Sequence, residues 1–257
     1  MRWSIAGLLL LTAALTSGKL SGQEGKKQVY LLLGQSNMAG RGKLSGYQHK
    51  THERVLMLNK DKQWVPAVHP LHFDKPKSAG VGPGLAFAIV MAEAYPKDTI
   101  FLVPCAVGGT SISSWEPGAY DEATDTHPYD DAVQRIEHAR KKAPITGALW
   151  LQGESDSRPG AAETYVDKLS ALVKRIRKES GNKHLPFVVG ELGRYRAKYQ
   201  LINRELQKVP AAIRFTALVT SESLTHKGDS THFDSRSAEA YGQRFAAGML
   251  QLLKNKK

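Results

Sequence analysis

The chain has 257 residues, with 36 Lys and Arg against 24 Asp and Glu, a formal net charge of +12 and one cysteine, Cys105. A lone thiol excludes an intrachain disulfide, and the length allows a full hydrophobic core without requiring a second domain. Basic residues are dispersed on helical faces (Arg135, Arg140, Lys141, Lys142) or sit in the Lys254 to Lys257 tail, with no aromatic-interleaved basic motif; this argues against nucleic acid and favours acidic polysaccharide or anionic surfaces.

At the N-terminus, Arg2 precedes an apolar run from Ile5 to Leu15 and then small residues. That run is too short to span a bilayer comfortably and reads as a secretory signal over residues 1–22, followed by a single domain over 23–257. A retained anchor is the alternative, and lipoprotein processing is excluded because this stretch has no cysteine. No later segment is apolar enough for a transmembrane helix, so no stable membrane association is expected once the signal is removed. Export without a disulfide points to the bacterial periplasm or exterior.

Further along, near-continuous apolar runs predict strands at Val29–Leu33, Val55–Asn59, Thr99–Val103, Gly147–Leu151, Phe187–Glu191 and Arg214–Thr220. Amphipathic spacing predicts helices at Gly84–Tyr95, Tyr129–Lys142, Ala161–Glu179, Tyr199–Gln207 and Ser235–Lys254. The alternation predicts an α/β fold with a doubly wound, mostly parallel sheet. Val55–Asn59 is the ambiguous strand, because Trp64–Val68 can pair with it as a hairpin. The irregular stretches 61–84 and 115–128 are expected to build a substrate pocket. Trp115 is read either as a sugar-stacking wall or as a packing residue at the core edge. His69, His72 and Asp74 are too loosely spaced, and lack a third strong ligand, to be read as a metal site.

Several segments carry chemistry. YLLLGQSNMAG breaks an apolar strand at Gly34 and delivers Ser36 just past its end, where ligands bind in open α/β sheets. Its alternative is a turn or helix-cap serine. In GDSTHFD, Asp229 and His232 lie three apart before a helical pattern. The carboxylate can accept the imidazole Nδ1–H and leave Nε2 to take a serine proton. His226 has no acid three residues before it and ranks second as a base. Ser230, in the Gly228-Asp229-Ser230 triplet, reads as a turn or cap. Backbone N–H groups at Gly108 or Gly109 and the Gln152 amide can stabilise an oxyanion, with a tight turn and a capping loop as the alternatives.

The ordered blocks GQSNMAG, CAVGGTS, WLQGESD and DSTHFD resemble the SGNH-hydrolase superfamily, in the carbohydrate-esterase branch of sialate O-acetylesterases and acetylxylan esterases. The resemblance covers nearly the whole chain after residue 22. It implies a three-layer α/β/α sandwich of the flavodoxin-like SGNH type, a serine mechanism, an acetylated carbohydrate substrate, and no metal or other cofactor. Ser36 would be the nucleophile, Asp229 the orienting acid and His232 the base. The oxyanion would be held by Ser36, by Gly109 or its neighbour Gly108, and by Gln152, which stands where the wider superfamily has Asn. Glu154 is expected to support the site from behind. A lipase or thioesterase, or a non-catalytic carbohydrate-binding protein, is the competing reading.

Overall fold

An unbroken apolar run in the first strand decides the architecture. The structure, a computed structural model, describes residues 25–48 and 50–255; the signal segment read at 1–22 lies outside them. In β1 (Lys27–Gly34) every residue from Val29 to Leu33 is fully buried, as a strand covered on both faces requires. Side chains alternate across a strand. Val29, Leu31 and Leu33 therefore join one core cluster, and Tyr30 and Leu32 join the other.

The remaining elements follow in order: α1 (Ser36–Ala39), β2 (Val55–Leu58), β3 (Trp64–Pro66), α2 (Pro83–Ala94), β4 (Thr99–Pro104) and α3 (Pro128–Arg140). Then come β5 (Ile145–Leu151), α4 (Tyr165–Glu179), β6 (Phe187–Gly190), α5 (Tyr199–Leu206), α6 (Val209–Ala212), β7 (Thr216–Val219) and α7 (Ser235–Lys254). The sheet runs β3-β2-β4-β1-β5-β6-β7, and only the β2–β3 pairing is antiparallel. Ile136 of α3 and Leu169 and Val173 of α4 pack on one face. Met91 of α2 and Tyr241 and Phe245 of α7 pack on the other, which gives three layers. A Cβ at Gly242 would stand 2.3 Å from the Pro83 carbonyl oxygen, so α7 crosses α2 with its backbone in direct approach.

The expected strands are present, and both readings of the ambiguous one hold: β2 pairs in parallel with β4 and carries β3 as an edge hairpin. The helix expected from Ala161 begins at Tyr165, and the short α1 and α6 fall below the length at which periodicity signals a helix. After β1 the chain turns to one side of the sheet, and after β5 it continues on the other. The winding reverses beside β1, and such a reversal opens a crevice at the carboxyl ends of the strands.

A buried cation closes those ends on one side. Arg135 of α3 donates to the carbonyls of Pro104 (2.7 Å), Leu58 (2.5 Å) and Asn59 (3.1 Å) at the ends of β4 and β2. Arg135→Met would leave these acceptors without a donor in a buried setting. Urea denaturation should show a loss of about 3 kcal/mol or more with an unchanged slope.

Candidate active site

Ser36 owes its place to a close approach between two strand ends. Gly34 has φ 129°, and a Cβ there would lie 2.2 Å from the Leu151 carbonyl oxygen, so only glycine lets the chain leave β1 this way. Gln35 donates its N–H to Leu151 O at 2.9 Å, and its side-chain oxygen accepts the Gly153 N–H at 3.3 Å. These bonds stitch the end of β1 to the end of β5 and set Ser36 as the first residue of α1. As a first helical residue its N–H has no intrahelical acceptor, and it has no partner among the described residues.

Asp229 and His232 arrive on a loop held at its neck by the bridge between His226 and Phe233. The loop runs into α7, whose N-cap Asp234 accepts the Ser237 N–H at 2.8 Å. Asp229 Oδ1 accepts the N–H groups of Thr231 (2.9 Å) and His232 (2.8 Å), and Oδ2 lies 2.7 Å from His232 Nδ1. His232 Nε2 lies 3.0 Å from Ser36 Oγ, across 196 residues of sequence. An ionised carboxylate only accepts, so Nδ1 carries the proton and Nε2 presents a lone pair to the serine.

The charges agree with that arrangement. Burial alone would raise the Asp229 carboxyl, but the bonds from the His232 and Thr231 N–H groups and the imidazole outweigh it, and the group lies well below the usual carboxylate range. For His232, burial is the largest influence and holds the imidazole below its ordinary 6.5, against the opposing pull of Asp229. His226 is not a second base of the same kind: its Nδ1 accepts the N–H groups of Gly228 and Ser230, each at 3.0 Å. Ser230, at φ 52°, is the turn residue of the loop.

Two further groups organise the surroundings. Asn37 donates to Glu154 Oε1 at 2.5 Å and to Thr231 O at 3.0 Å, and accepts the Phe233 N–H at 3.1 Å. Asp74 Oδ2 receives Arg41 at 2.6 Å and the Gly108 N–H at 2.8 Å. Burial drives Asp74 upward, yet Arg41 overrides it and holds the carboxyl below its ordinary range. The next N–H, that of Gly109, has no partner among the described residues. Ser36, Gly109, His232 and Asp229 together line a cleft of about 600 Å³.

The model of the family described as carbohydrate esterase, sialic acid-specific acetylesterase, matches residues 26–251. The chain belongs to that family. This esterase is 33% identical over 246 residues to a probable carbohydrate esterase of Arabidopsis thaliana, covering 87% of this chain and 90% of the relative. An X-ray structure of an Arabidopsis thaliana protein superposes with a TM-score of 0.77 at 30% identity, over 87% of this chain and 98% of that one. The crystal structure of NanS superposes at 0.72 with 20% identity, over 90% and 99% of the two chains, which shows a shared fold. The esterase is thus a carboxylic ester hydrolase of the SGNH type, acting on acetylated carbohydrate.

Three sequence-based expectations require correction. Gln152 is fully buried, and its amide nitrogen faces Asp156 Oδ2 (2.6 Å), Thr110 O (3.0 Å) and Gln35 Oε1 (3.1 Å), so it has no proton left for a substrate oxyanion. Gly108 spends its N–H on Asp74, which separates it from Gly109 as a donor. Trp115 is 0% exposed and meets Trp150 edge-on at 5.2 Å between ring centroids. It is a core residue, and its indole N–H reaches Thr110 Oγ1 at the base of the glycine loop. The stretch 61–84 supplies Lys75 and Ser78 to the cleft, whereas Asp125 and Thr126 of the other stretch line a separate cavity beside His72 and Arg135.

Sequence reasoning missed Asn37 and Arg41, and weighed Asp74 only as a metal ligand. Asn37 had a signal, since an amide directly after Ser36 faces the same strand ends; the pairing of Arg41 with Asp74 had none. Asp74, which the sequence set beside His69 and His72, receives Arg41 and the Gly108 N–H on its Oδ2. Among the described residues no group of three His, Cys, Asp or Glu is placed to hold a metal ion.

Trp115→Ala should act on stability, costing about 3–5 kcal/mol in denaturant unfolding, because it empties a packed core site. The imidazole of His232, followed by nitrogen-15 NMR, should titrate with a midpoint below its ordinary 6.5. Asp229→Asn should move that midpoint lower still, since it removes the carboxylate that favours the charged ring.

Proposed function

We propose that the esterase is exported by its N-terminal segment and works, as a single domain over residues 23–257, through a serine nucleophile and an acetyl-enzyme. The observation that carries this reading is the continuous hydrogen-bonded line from Ser36 Oγ through His232 to Asp229, with 3.0 Å and 2.7 Å at its two links. Two backbone N–H groups with no partner among the described residues, those of Ser36 and Gly109, stand beside it.

In this mechanism His232 Nε2 takes the Ser36 proton as Oγ attacks the acetyl carbonyl carbon. The developing oxyanion accepts hydrogen bonds from the N–H groups of Ser36 and Gly109, which need no reorganisation because the β1 end and the glycine loop already fix them. The tetrahedral intermediate expels the sugar oxygen, which takes the proton from Nε2. A water then enters, gives its proton to Nε2 and attacks the acetyl carbon. Collapse returns the proton to Oγ and releases acetic acid, which ionises to acetate in water. Asp229 remains ionised throughout, stabilising the imidazolium and holding its ring in place.

Glu154 belongs to the support of this site. Burial pushes its carboxyl upward, and the Asn37 amide partly opposes that. Through Asn37 it ties α1 to the loop that carries the base, which keeps Nε2 within reach of Oγ. Acetylated xylan and O-acetylated sialosides are the glycans to be compared.

Acetate release from both by purified residues 23–257 should fall by about 10³-fold or more in Ser36→Ala, leaving only the residual effect of binding and oxyanion stabilisation. An unchanged rate would overturn the serine mechanism.

A further inference from the structure

The charges lining the cleft are lopsided. Arg41, Lys75, Arg196, Lys198 and Lys227 surround it, while its acidic groups are Asp229 and Glu154. Most of these charges are already engaged. Arg41 pairs with Asp74 at 2.6 Å. Arg196 donates to the carbonyls of Ser230 (2.7 Å) and Asp229 (3.3 Å). Lys227 lies 3.8 Å from Asp229, which is held by His232. Glu154 is buried and bonded to Asn37. Lys198 is exposed at the rim, over the Tyr199 ring.

Lys75 is different. It is half-buried and has no carboxylate partner among the described residues. Its Nζ lies 3.7 Å from the point where a Cβ on Gly109 would stand, so the ammonium sits over the loop whose N–H is unengaged. Its place is fixed from both sides in sequence. Asp74, just before it, is clamped to Gly108 and Arg41. Its own carbonyl accepts the N–H groups of Ser78 and Ala79, each at 2.9 Å, in the turn that follows. Partly desolvated positive charge with no protein counterion in a substrate cleft calls for one from the ligand.

We propose that Lys75 is a specificity-determining residue that pairs with an anionic substituent, a carboxylate or a sulfate, on the sugar bearing the acetyl ester. The proposal rests on the reading of the Ser36 cleft as the acetyl site. With the acetyl carbonyl between Ser36 and Gly109, the sugar attached to it comes within reach of Lys75 Nζ. An ammonium that acted on the oxyanion instead would accelerate every acetyl ester alike. One that reads the sugar discriminates between charged and neutral esters, chiefly through KM.

The test compares kcat/KM for three acetyl esters: a neutral sugar, a sugar carboxylate and a sugar sulfate, in the wild type, Lys75→Met and Lys75→Arg. The wild type should prefer one anionic ester over the neutral one, and the better of the two identifies the substituent. Lys75→Met should reduce that preference about tenfold, mainly by raising KM, and remove its salt dependence. Lys75→Arg should retain most of it. A preference that is absent in the wild type, or equal in the wild type and Lys75→Met, overturns the proposal for Lys75. Ser36→Ala run beside them separates the two readings. Hydrolysis that survives it removes the cleft as the acetyl site; hydrolysis lost with it keeps that site, and the Lys75 variants then decide whether the lysine selects the sugar.

Discussion

Asn37 gathers three stretches of chain that share no local sequence. Its amide nitrogen reaches Glu154 beyond β5 and the Thr231 carbonyl in the loop before α7, and its oxygen takes the Phe233 N–H from the same loop. The residue lies one position after Ser36, so whatever fixes Asn37 fixes the Ser36 hydroxyl relative to the His232 imidazole. An imidazole must meet a hydroxyl within a few tenths of an ångström, and a loop of mostly small polar residues has too little apolar burial to impose that by packing. Directional hydrogen bonds to a buried amide supply it.

The same rule, that buried polar groups find partners, sorts the remaining residues by what is left to them. Gln152 stands close to the reacting groups, but every direction of its amide nitrogen is taken by Asp156, Thr110 and Gln35. Gly108 gives its N–H to Asp74. The N–H groups of Ser36 and Gly109 are left over because one begins a helix and the other follows a clamped glycine. Capacity for chemistry here is a remainder: the groups free to meet a substrate are those the fold does not consume. The buried Arg41–Asp74 pair illustrates the cost of the arrangement, since removal of either partner would leave an uncompensated charge beside the glycine loop.

Much of this was legible in the chain itself. Parallel strands buried on both faces read as apolar runs, and β1, β4 and β5 lie where such runs predict them. Asp229 and His232 lie three residues apart, so their mutual geometry is local and visible as spacing. What the sequence hid was competition. Trp115 offered an aromatic ring in an irregular stretch, and nothing in its neighbours announced that Trp150, from β5, would cover it. Gln152 carried the right functional group, and its spending on partners from 4 to 117 residues away is a property of the fold. Arg41 and Asp74, 33 residues apart, meet only because the chain doubles back between β3 and α2.

Asp229 and His232 ride on one short loop, fastened by the His226–Phe233 bridge and by Asn37. Loops with few buried apolar contacts open at lower free energy than the sheet they border. The amide protons of Thr231 and His232, both bonded to Asp229, would therefore exchange with solvent long before those of β1 and β5. Warming would switch the esterase off by local opening while the sheet was still intact. The hold on that one loop would then set the working temperature before the core gave way.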